Sequence, residues 1–407
     1  MKCGLLGRKL GHSYSPQIHC SLGDYSYTLF EKEPEEIEDF LKNSDFTGIN
    51  VTIPYKKDVI PYLDELSPLA KKLGAVNTIV RRKDGRLIGH NTDYFGFVSM
   101  VEQSGLTVSG KKCLVFGSGG VSKPTVAALE EMGAHVVVIS HKENKPENLI
   151  RHLDAAVIVN TTPVGMYPKV LESPVDLEPF TALEGVLDLI FNPAKTQLML
   201  QAEQRGLVAM GGLWMLVAQA KEASEWFTGK KIADEKIAQI HHTLRCQMEN
   251  IILIGMPGSG KSTIGQLLSQ RLDRTFADAD EEIIRLAGKP IPQIFAEDGE
   301  EVFREWETHA LANLGKQSGL VIATGGGCVT KERNYPLLHQ NGTIFYLQRK
   351  LSLLPTDGRP LSQANKLTDM YAKRKPMYEA FADFTVDNNA LPEETVATIL
   401  ARLEESE

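Results

Sequence analysis

The sequence predicts an α/β protein of two halves built largely on parallel sheets, and three observations lead there. Short apolar runs alternate with helical patterns along all 407 residues, as expected where helices cover strands. Two glycine-rich turns, in Lys111–Ser140 and in Glu249–Leu272, each sit between an apolar strand and a helical pattern, giving one βαβ start apiece. The length exceeds what one core of common size holds. A polar, mostly helical stretch from Glu225 to Asn250 separates the two glycine turns, so the main boundary is expected near Cys246.

Composition narrows the class. Apolar residues make up 42% and charged residues 24%, ordinary values for chains that bury real cores. A net charge of −8 disfavours nonspecific binding to nucleic acid or anionic membranes, but permits small anionic substrates that need only a few local cations. The five cysteines (Cys3, Cys20, Cys113, Cys246, Cys328) are scattered and form no CxxC pair, which suits free thiols in a reducing compartment. No apolar run reaches the ~18 residues of a spanning helix. The opening "MKCGLLGRKLGHSYS" lacks the apolar core of a secretory signal. The expectation is a soluble cytoplasmic protein with neither nucleic-acid nor membrane partners; nothing in the sequence sets its oligomeric state.

Taken in order, residues 1–100 form their own strands and helices ahead of Lys111, so the front half has two lobes. Four polar islands mark the first lobe. They are "GHSYSPQIH" with Ser13 and Ser15, "GINVTIPYKKD" with Asn50, Thr52 and Lys56, "GAVNTI" with Asn77, and "GHNTDYFGF" with Asn91 and Asp93. Singly, such residues read as helix caps and surface charges. The second lobe opens on "VFGSGGVSK", a variant dinucleotide loop: Gly117, Ser118, Gly119 and Gly120, with Ser122 where a third glycine or alanine often stands. The following strand, "HVVVIS", ends at Ser140, where an NAD-binding fold places an acid about twenty residues after the loop. No acid comes before Glu143. His141, Lys142 and Lys145 are there instead, and cations favour a 2′-phosphate, hence NADP(H). Further on come "NTTPVGM", "DLIFNPAKTQLM" and "GLWMLVAQA", the last containing Gln219.

In this order, across residues 1–245, these segments resemble shikimate dehydrogenase. The resemblance implies a substrate lobe of about 1–100 plus 213–245 and a Rossmann-like NADP-binding lobe of about 101–212. Ser13 and Ser15 would hold the substrate carboxylate, and Thr52, Asn77 and Gln219 would bind its hydroxyls or help shape the site. Lys56 and Asp93 would form the catalytic pair. Islands of small polar residues suit a polyhydroxylated acid, and hydride delivery to its ketone builds charge on oxygen that a nearby ammonium stabilises and protonates. Two positions depart from the family: Phe191, where tyrosine is frequent, and Gly211, where a polar residue is common.

The rear half opens on "IILIGMPGSGKSTIG". Gly255-x4-Gly260-Lys261-Ser262 fits the P-loop pattern in full, between the apolar strand Ile251–Ile254 and a helix carrying Ile264, Leu267 and Leu268. Backbone N–H groups from Gly255 to Thr263, Gly258 and Ser259 included, would curl around ATP phosphates. Lys261 would reach the β/γ-phosphates and Ser262 the Mg²⁺. "FADADEEI" places Asp278 and Asp280 at the expected end of the next strand, on one face. Arg304 in "EEVFREWE", Gly325, Gly326 and Gly327 in "IATGGGCV", Arg359 in "DGRPLS" and Arg374 in "KRKPMYEAFAD" complete the series. Over residues 249–407 these resemble the shikimate kinases. That implies Asp278 on Mg²⁺ through water, Asp280 at the accepting hydroxyl, and Arg304 and Arg374 on the acceptor carboxylate. It also implies Gly326 donating a backbone N–H and Arg359 in a lid over the phosphates. The family's further arginine shortly before "RPL" has no counterpart between Lys350 and Arg359.

The two resemblances interlock: the first half would make shikimate and the second would phosphorylate it, in one bifunctional shikimate-pathway enzyme. Two rival readings are a metabolite-sensing regulatory protein with inactive domains, and a quinate-type dehydrogenase fused to a small-alcohol kinase. Against the first, Lys56, Asp93, Lys261, Asp278 and Arg304 are all retained.

Overall fold

Strand alternation accounts for the sheets, beginning with the rear half. In the run Asn250–Ile254, Ile251 and Leu253 pack into one buried cluster and Ile252 and Ile254 into another. A strand covered on both faces is therefore apolar at every position, which is what "IILI" announced. Fully burying each such side chain is worth about 1.5–3 kcal/mol. The computed structural model describes residues 1–11, 13–354 and 364–405. By contacts these form two units. One comprises Met1–Met166, Glu172–Phe191 and Leu198–Thr243; the other comprises Leu244–Glu407 together with the short segments Tyr167–Leu171 and Asn192–Gln197.

The first unit holds two sheets. The leading one has six strands, in the order Ser26–Glu31, Lys2–Gly7, Gly48–Val51, Thr78–Arg81, Leu87–His90 and Glu65–Leu66. It is mixed. Lys2–Gly7 runs parallel to both neighbours, whereas Thr78–Arg81 is antiparallel to Gly48–Val51 and to Leu87–His90. The reversal is a tight "RKDGR" turn in which Gly85 adopts φ 88°, open to glycine at no steric cost. Its core gathers Leu6, Ile49, Val51 and Ile79 with Phe40 and Leu41.

The second sheet of this unit is fully parallel, in the order Val208–Gly211, Gly185–Asp188, Val157–Asn160, Lys112–Phe116 and His135–Ile139. The helix Ser122–Glu131 follows the strand Lys112–Phe116 directly after the glycine loop. Leu114, Phe116, Ile158 and Val186 lie in its core.

The second unit is a parallel five-stranded sheet in the order Phe276–Asp278, Val321–Ala323, Asn250–Ile254, Gly342–Gln348 and Phe384–Asp387. The loop from Gly255 to Gly260 leaves the central strand and enters the helix Lys261–Leu272, on which Ile264 and Leu268 are buried. Among the described residues no helix is long and apolar enough to cross a membrane.

Candidate active sites

In the first unit the polar islands converge. Lys56 lies after the strand Gly48–Val51, and Asp93 opens the helix Asp93–Ser104. Lys56 Nζ donates to Asp93 Oδ2 at 2.7 Å, and both side chains are largely buried. The other oxygen, Oδ1, accepts from Asn77 Nδ2 at 2.9 Å. Asn77 in turn accepts at Oδ1 from the Thr92 backbone N–H at 2.7 Å. The Thr92 hydroxyl donates to Gln219 Oε1 at 3.3 Å, while Gln219 Nε2 donates to the Leu216 carbonyl at 2.9 Å. The carboxylate is thus fixed by the chain around it, and the Lys56 side chain keeps somewhat more exposure than the Asp93 side chain. Such an ammonium can stabilise charge that develops on a nearby oxygen.

Gln219 reaches this cluster because its helix, Leu213–Thr228, lies very close to the helix of Asp93. A Cβ on Gly96 would stand 2.8 Å from the Met215 carbonyl oxygen and 2.9 Å from Gln219 Cβ. Asn50 is buried behind the cluster, donating to Thr78 Oγ1 at 3.1 Å and accepting from the Tyr27 hydroxyl at 2.8 Å. Thr52 is partly buried at the end of the strand, and Ser13 and Ser15 flank the start of the helix Ser15–Leu22, the Ser13 hydroxyl accepting the Ser15 N–H at 3.2 Å. On that helix His19 stacks on Tyr27 with ring centroids 4.0 Å apart, and burial pulls its pKa down to about 3, so it is neutral.

The front glycine loop is tight at its start and open at its tip. Gly117 adopts φ 109°, and a Cβ there would lie 2.5 Å from Thr161 Oγ1. Ser118, Gly119 and Gly120 are exposed, and nothing lies within 4 Å of where a Cβ on either glycine would stand. Ser122, at the third-glycine position, donates its hydroxyl to the Gly117 carbonyl at 2.8 Å and so tightens the turn itself. His141 and Lys142 are exposed in the turn after His135–Ile139.

In the second unit the cleft has a volume of about 740 Å³ and is lined by the phosphate loop, Asp278, Asp280, Arg304, Gly325–Gly327 and Arg374. Gly255, Gly258 and Gly260 adopt φ 150°, 80° and 96°, conformations a glycine takes at no Cβ cost. Lys261 Nζ donates to the Gly255 and Met256 carbonyls at 2.9 and 3.1 Å. Ser262 and Thr263 are exposed at the start of the helix, and the Ser262 hydroxyl donates to Asp278 Oδ2 at 2.9 Å. One hydroxyl beside one carboxylate suits Mg²⁺, which takes few protein ligands and completes its shell with phosphate oxygens and water. The Ser259 hydroxyl is buried without a partner among the described residues, while the Ser259 carbonyl accepts from Asn388 Nδ2 at 2.6 Å.

One expectation is corrected. Asp278 ends the strand, but Asp280 lies inside the next helix, Ala279–Ala287. The reason is capping: Asp278 Oδ1 accepts the Asp280 N–H at 3.0 Å, so the helix starts at once.

Arg304 is buried on the helix Gly299–Gly315, donating to Glu307 at 2.8 Å and to Glu300 at 3.0 Å. Burial opposes its charge, but the two carboxylates outweigh that and raise its pKa. Gly327 makes room for it, since a Cβ there would stand 2.0 Å from Arg304 Nη1. Arg374 donates to the Gly326 carbonyl at 3.0 Å, as does the Tyr378 hydroxyl at 2.5 Å. Arg359 lies outside the described residues.

Two charged cleft residues were not singled out from sequence. Glu307 is buried, its pKa is raised chiefly by desolvation, and its Oε1 has no partner among the described residues. That oxygen faces Gly325, where a Cβ would be 2.6 Å from it and 3.2 Å from Asp280 Oδ1. Its signal was the three-residue spacing from Arg304, which puts both on one helix face. Arg349, just before the segment that lacks the family's arginine, lines the cleft with Nη1 3.5 Å from where a Cβ on Gly260 would stand. No pattern in the sequence marked it.

Comparison with known proteins follows the same division. The chain matches the shikimate dehydrogenase substrate-binding domain at residues 5–79, a putative NAD(P)-binding domain at 105–176 and shikimate kinase at 257–404. It is 36% identical over 257 residues to the NADP(+) shikimate dehydrogenase of Clostridium beijerinckii, covering 58% of this chain and 94% of that protein. The corresponding protein of Caldicellulosiruptor bescii is 37% identical over 257 residues, covering 56% and 89%. Among solved structures, a chorismate mutase/shikimate 5-dehydrogenase fusion protein from Clostridium acetobutylicum aligns with TM-score 0.55 at 35% identity, covering 60% of this chain and 96% of that one. Shikimate 5-dehydrogenase from Thermus thermophilus, in complex with NADP(H) and shikimate, aligns with TM-score 0.53 at 28% identity, covering 60% and 99%. The chain therefore belongs to the shikimate dehydrogenase family and carries, behind its dehydrogenase part, a shikimate kinase domain.

Proposed function

We propose that the chain catalyses two consecutive reactions on one small polyhydroxylated acid. Residues 1–245 reduce 3-dehydroshikimate to shikimate, with a substrate lobe of about 1–100 plus 213–245 and a nucleotide lobe of about 101–212. Residues 249–407 phosphorylate shikimate to shikimate 3-phosphate. Both steps lead toward chorismate and run in the cytoplasm. When bound, NADPH supplies the hydride and MgATP the phosphoryl group.

The observation that carries this reading is the Lys56–Asp93 pair at 2.7 Å, with Asp93 anchored by Asn77. Lys56 stabilises the charge that builds on the ketone oxygen and delivers its proton; Asp93 holds Lys56 in place and balances its charge. Ser13 and Ser15 take the acid's carboxylate, and Thr52, Asn77 and Gln219 its hydroxyls. The loop Gly117–Gly120 receives the dinucleotide's pyrophosphate, with His141 and Lys142 beside its 2′-phosphate.

In the rear half Lys261 leaves its loop carbonyls for the nucleotide's phosphates, and the glycine loop wraps them. Ser262 and, through water, Asp278 hold Mg²⁺. Asp280 orients the accepting hydroxyl and takes its proton. Arg304 and Arg374 clamp the carboxylate, where planar guanidinium forks match its two oxygens. Gly326 donates its backbone N–H, and Arg359 neutralises the phosphate in transit.

The test is one incubation of purified protein with 3-dehydroshikimate, NADPH and MgATP. NADPH is expected to fall first and ADP to appear after it. Without NADPH, ADP should appear only when shikimate is added. A protein that oxidises no NADPH with the ketone and makes no ADP with shikimate sinks the reading.

A further inference from the structure

We propose that Glu143 narrows the front half's preference for NADP(H): its carboxylate, folded back onto Ser140, lies at the end of the strand where the adenosine ribose is read and opposes a 2′-phosphate there. The proposal rests on the nucleotide-lobe reading above. The strand His135–Ile139 runs parallel beside the loop-bearing strand Lys112–Phe116. In this fold the end of that neighbouring strand is where ribose hydroxyls are recognised, by an acid in NAD-binding proteins. The sequence has Ser140 at that place and no acid until three residues later.

The turn closes the gap. Glu143 N–H and Asn144 N–H both donate to the Ser140 carbonyl at 3.0 Å, and Asn148 Nδ2 donates to the Glu143 carbonyl at 3.0 Å. Asn144 is tied in addition to the Pro174 carbonyl at 2.8 Å. Within this turn the Glu143 carboxylate accepts from the Ser140 N–H at 3.1 Å and from the Ser140 hydroxyl at 2.5 Å. The acid that residue 140 does not carry is delivered there from residue 143. Both donors favour the ionised form, and the Glu143 pKa is lowered, first by the Ser140 hydroxyl and then by its N–H.

An ionised carboxylate accepts a hydrogen bond from a ribose hydroxyl and repels a phosphate. The exposed cations of His141 (when protonated) and Lys142 act in the opposite sense. Preference is then a balance within residues 140–145, where exposed Lys145 adds a third cation and Glu143 is the weight on the NAD side.

Calorimetric titration of the full chain with NADP⁺ and with NAD⁺ tests this, with saturating MgADP present to occupy the rear cleft. Glu143→Gln is expected to move the Kd ratio toward NADP⁺ by about tenfold, the effect of removing one charge beside a phosphate in water. Ser140→Ala, which releases the carboxylate, should move it the same way by less. Because each result is a ratio within one variant, a general loosening of the fold weakens both nucleotides alike and does not mimic the shift. A ratio that stays put in Glu143→Gln, or moves toward NAD⁺, overturns the proposal. Failure of the unaltered chain to bind either dinucleotide overturns the nucleotide-lobe reading instead.

Discussion

The front site joins Lys56 to Asp93 across 37 residues of chain and Thr92 to Gln219 across 127. The rear site keeps its phosphate-loop lysine and its Arg304 ion pairs local, although Arg374 reaches the Gly326 carbonyl across 48 residues and Asn388 the Ser259 carbonyl across 129. Lys261 bonds carbonyls five and six residues back, and Arg304 sits between carboxylates four residues before it and three after. The parts built from neighbours in sequence are largely assembled once their loop and helix form. A site built from distant segments exists only when a sheet and two helices have closed together, so its geometry shares the fate of the whole unit.

The largest test of this contrast removes each ammonium in turn. Lys56→Ala should lower ketone reduction by about 10²–10⁴-fold, as for loss of a proton donor, while ADP formation with shikimate stays within about twofold. Lys261→Ala should do the reverse. Steady-state assays of both reactions on each variant check this; a folded variant that loses both activities breaks the two-site account.

Gly327→Ala comes next. Its Cβ would stand 2.0 Å from Arg304 Nη1, so the guanidinium must leave its carboxylate partner. Loss of a charge-assisted bond costs about 1.5–3 kcal/mol, so the rear KM for shikimate should rise about 10–100-fold with the KM for ATP nearly unchanged. Equal rises in both would show that Gly327 serves the loop and not the arginine.

Gly96→Ala sharpens the front side. The added methyl meets the Met215 carbonyl at 2.8 Å and Gln219 Cβ at 2.9 Å, forcing the two helices apart. Overpacking of this kind costs about 1–3 kcal/mol. The front KM for the acid should rise with the displacement of Gln219, and denaturant melting should show the loss in the front unit. An unchanged KM would mean Gln219 is not held by this approach.

The most gradual effect is on acid stability. Burial pulls His19 down to about 3 and His90 to about 4, the latter helped by Arg82. Below an ordinary histidine pKa near 6.5 the unfolded chain takes protons that the folded unit refuses. Stability is full above that pH and falls by about 1.4 kcal/mol per histidine per unit as pH drops toward the folded values. The front unit should therefore melt progressively earlier between pH 6.5 and 5. A front-unit melting temperature flat over that interval would deny that these histidines are buried neutral.

The same difference in range decided what could be read in advance. The phosphate loop was complete within Gly255–Ser262, because eight-residue geometry follows from glycine freedom and a strand–helix junction. Lys56 and Asp93 were named only through a family likeness; no local pattern ties two residues so far apart. Asp280 was expected on the strand and lies in the helix, because the Asp278 side chain caps that helix immediately. Glu307 and Arg349 passed unnoticed, since a buried orphan oxygen and a reach across a loop are properties of packing.

By itself the sequence determined the α/β class, the two glycine loops, the polar islands and the local charge spacing on the helix of Arg304. Each follows from short-range sterics, alternation and capping, which act within a turn or a strand. Only the tertiary structure decided that the Asp93 carboxylate is shared between Lys56 and Asn77. It also decided that Gln219 arrives by a helix contact only a glycine allows, and that Ser140 receives its acid from Glu143. Distances between such groups are fixed by how sheets and helices pack, and a linear string of residues carries that information only through the whole fold.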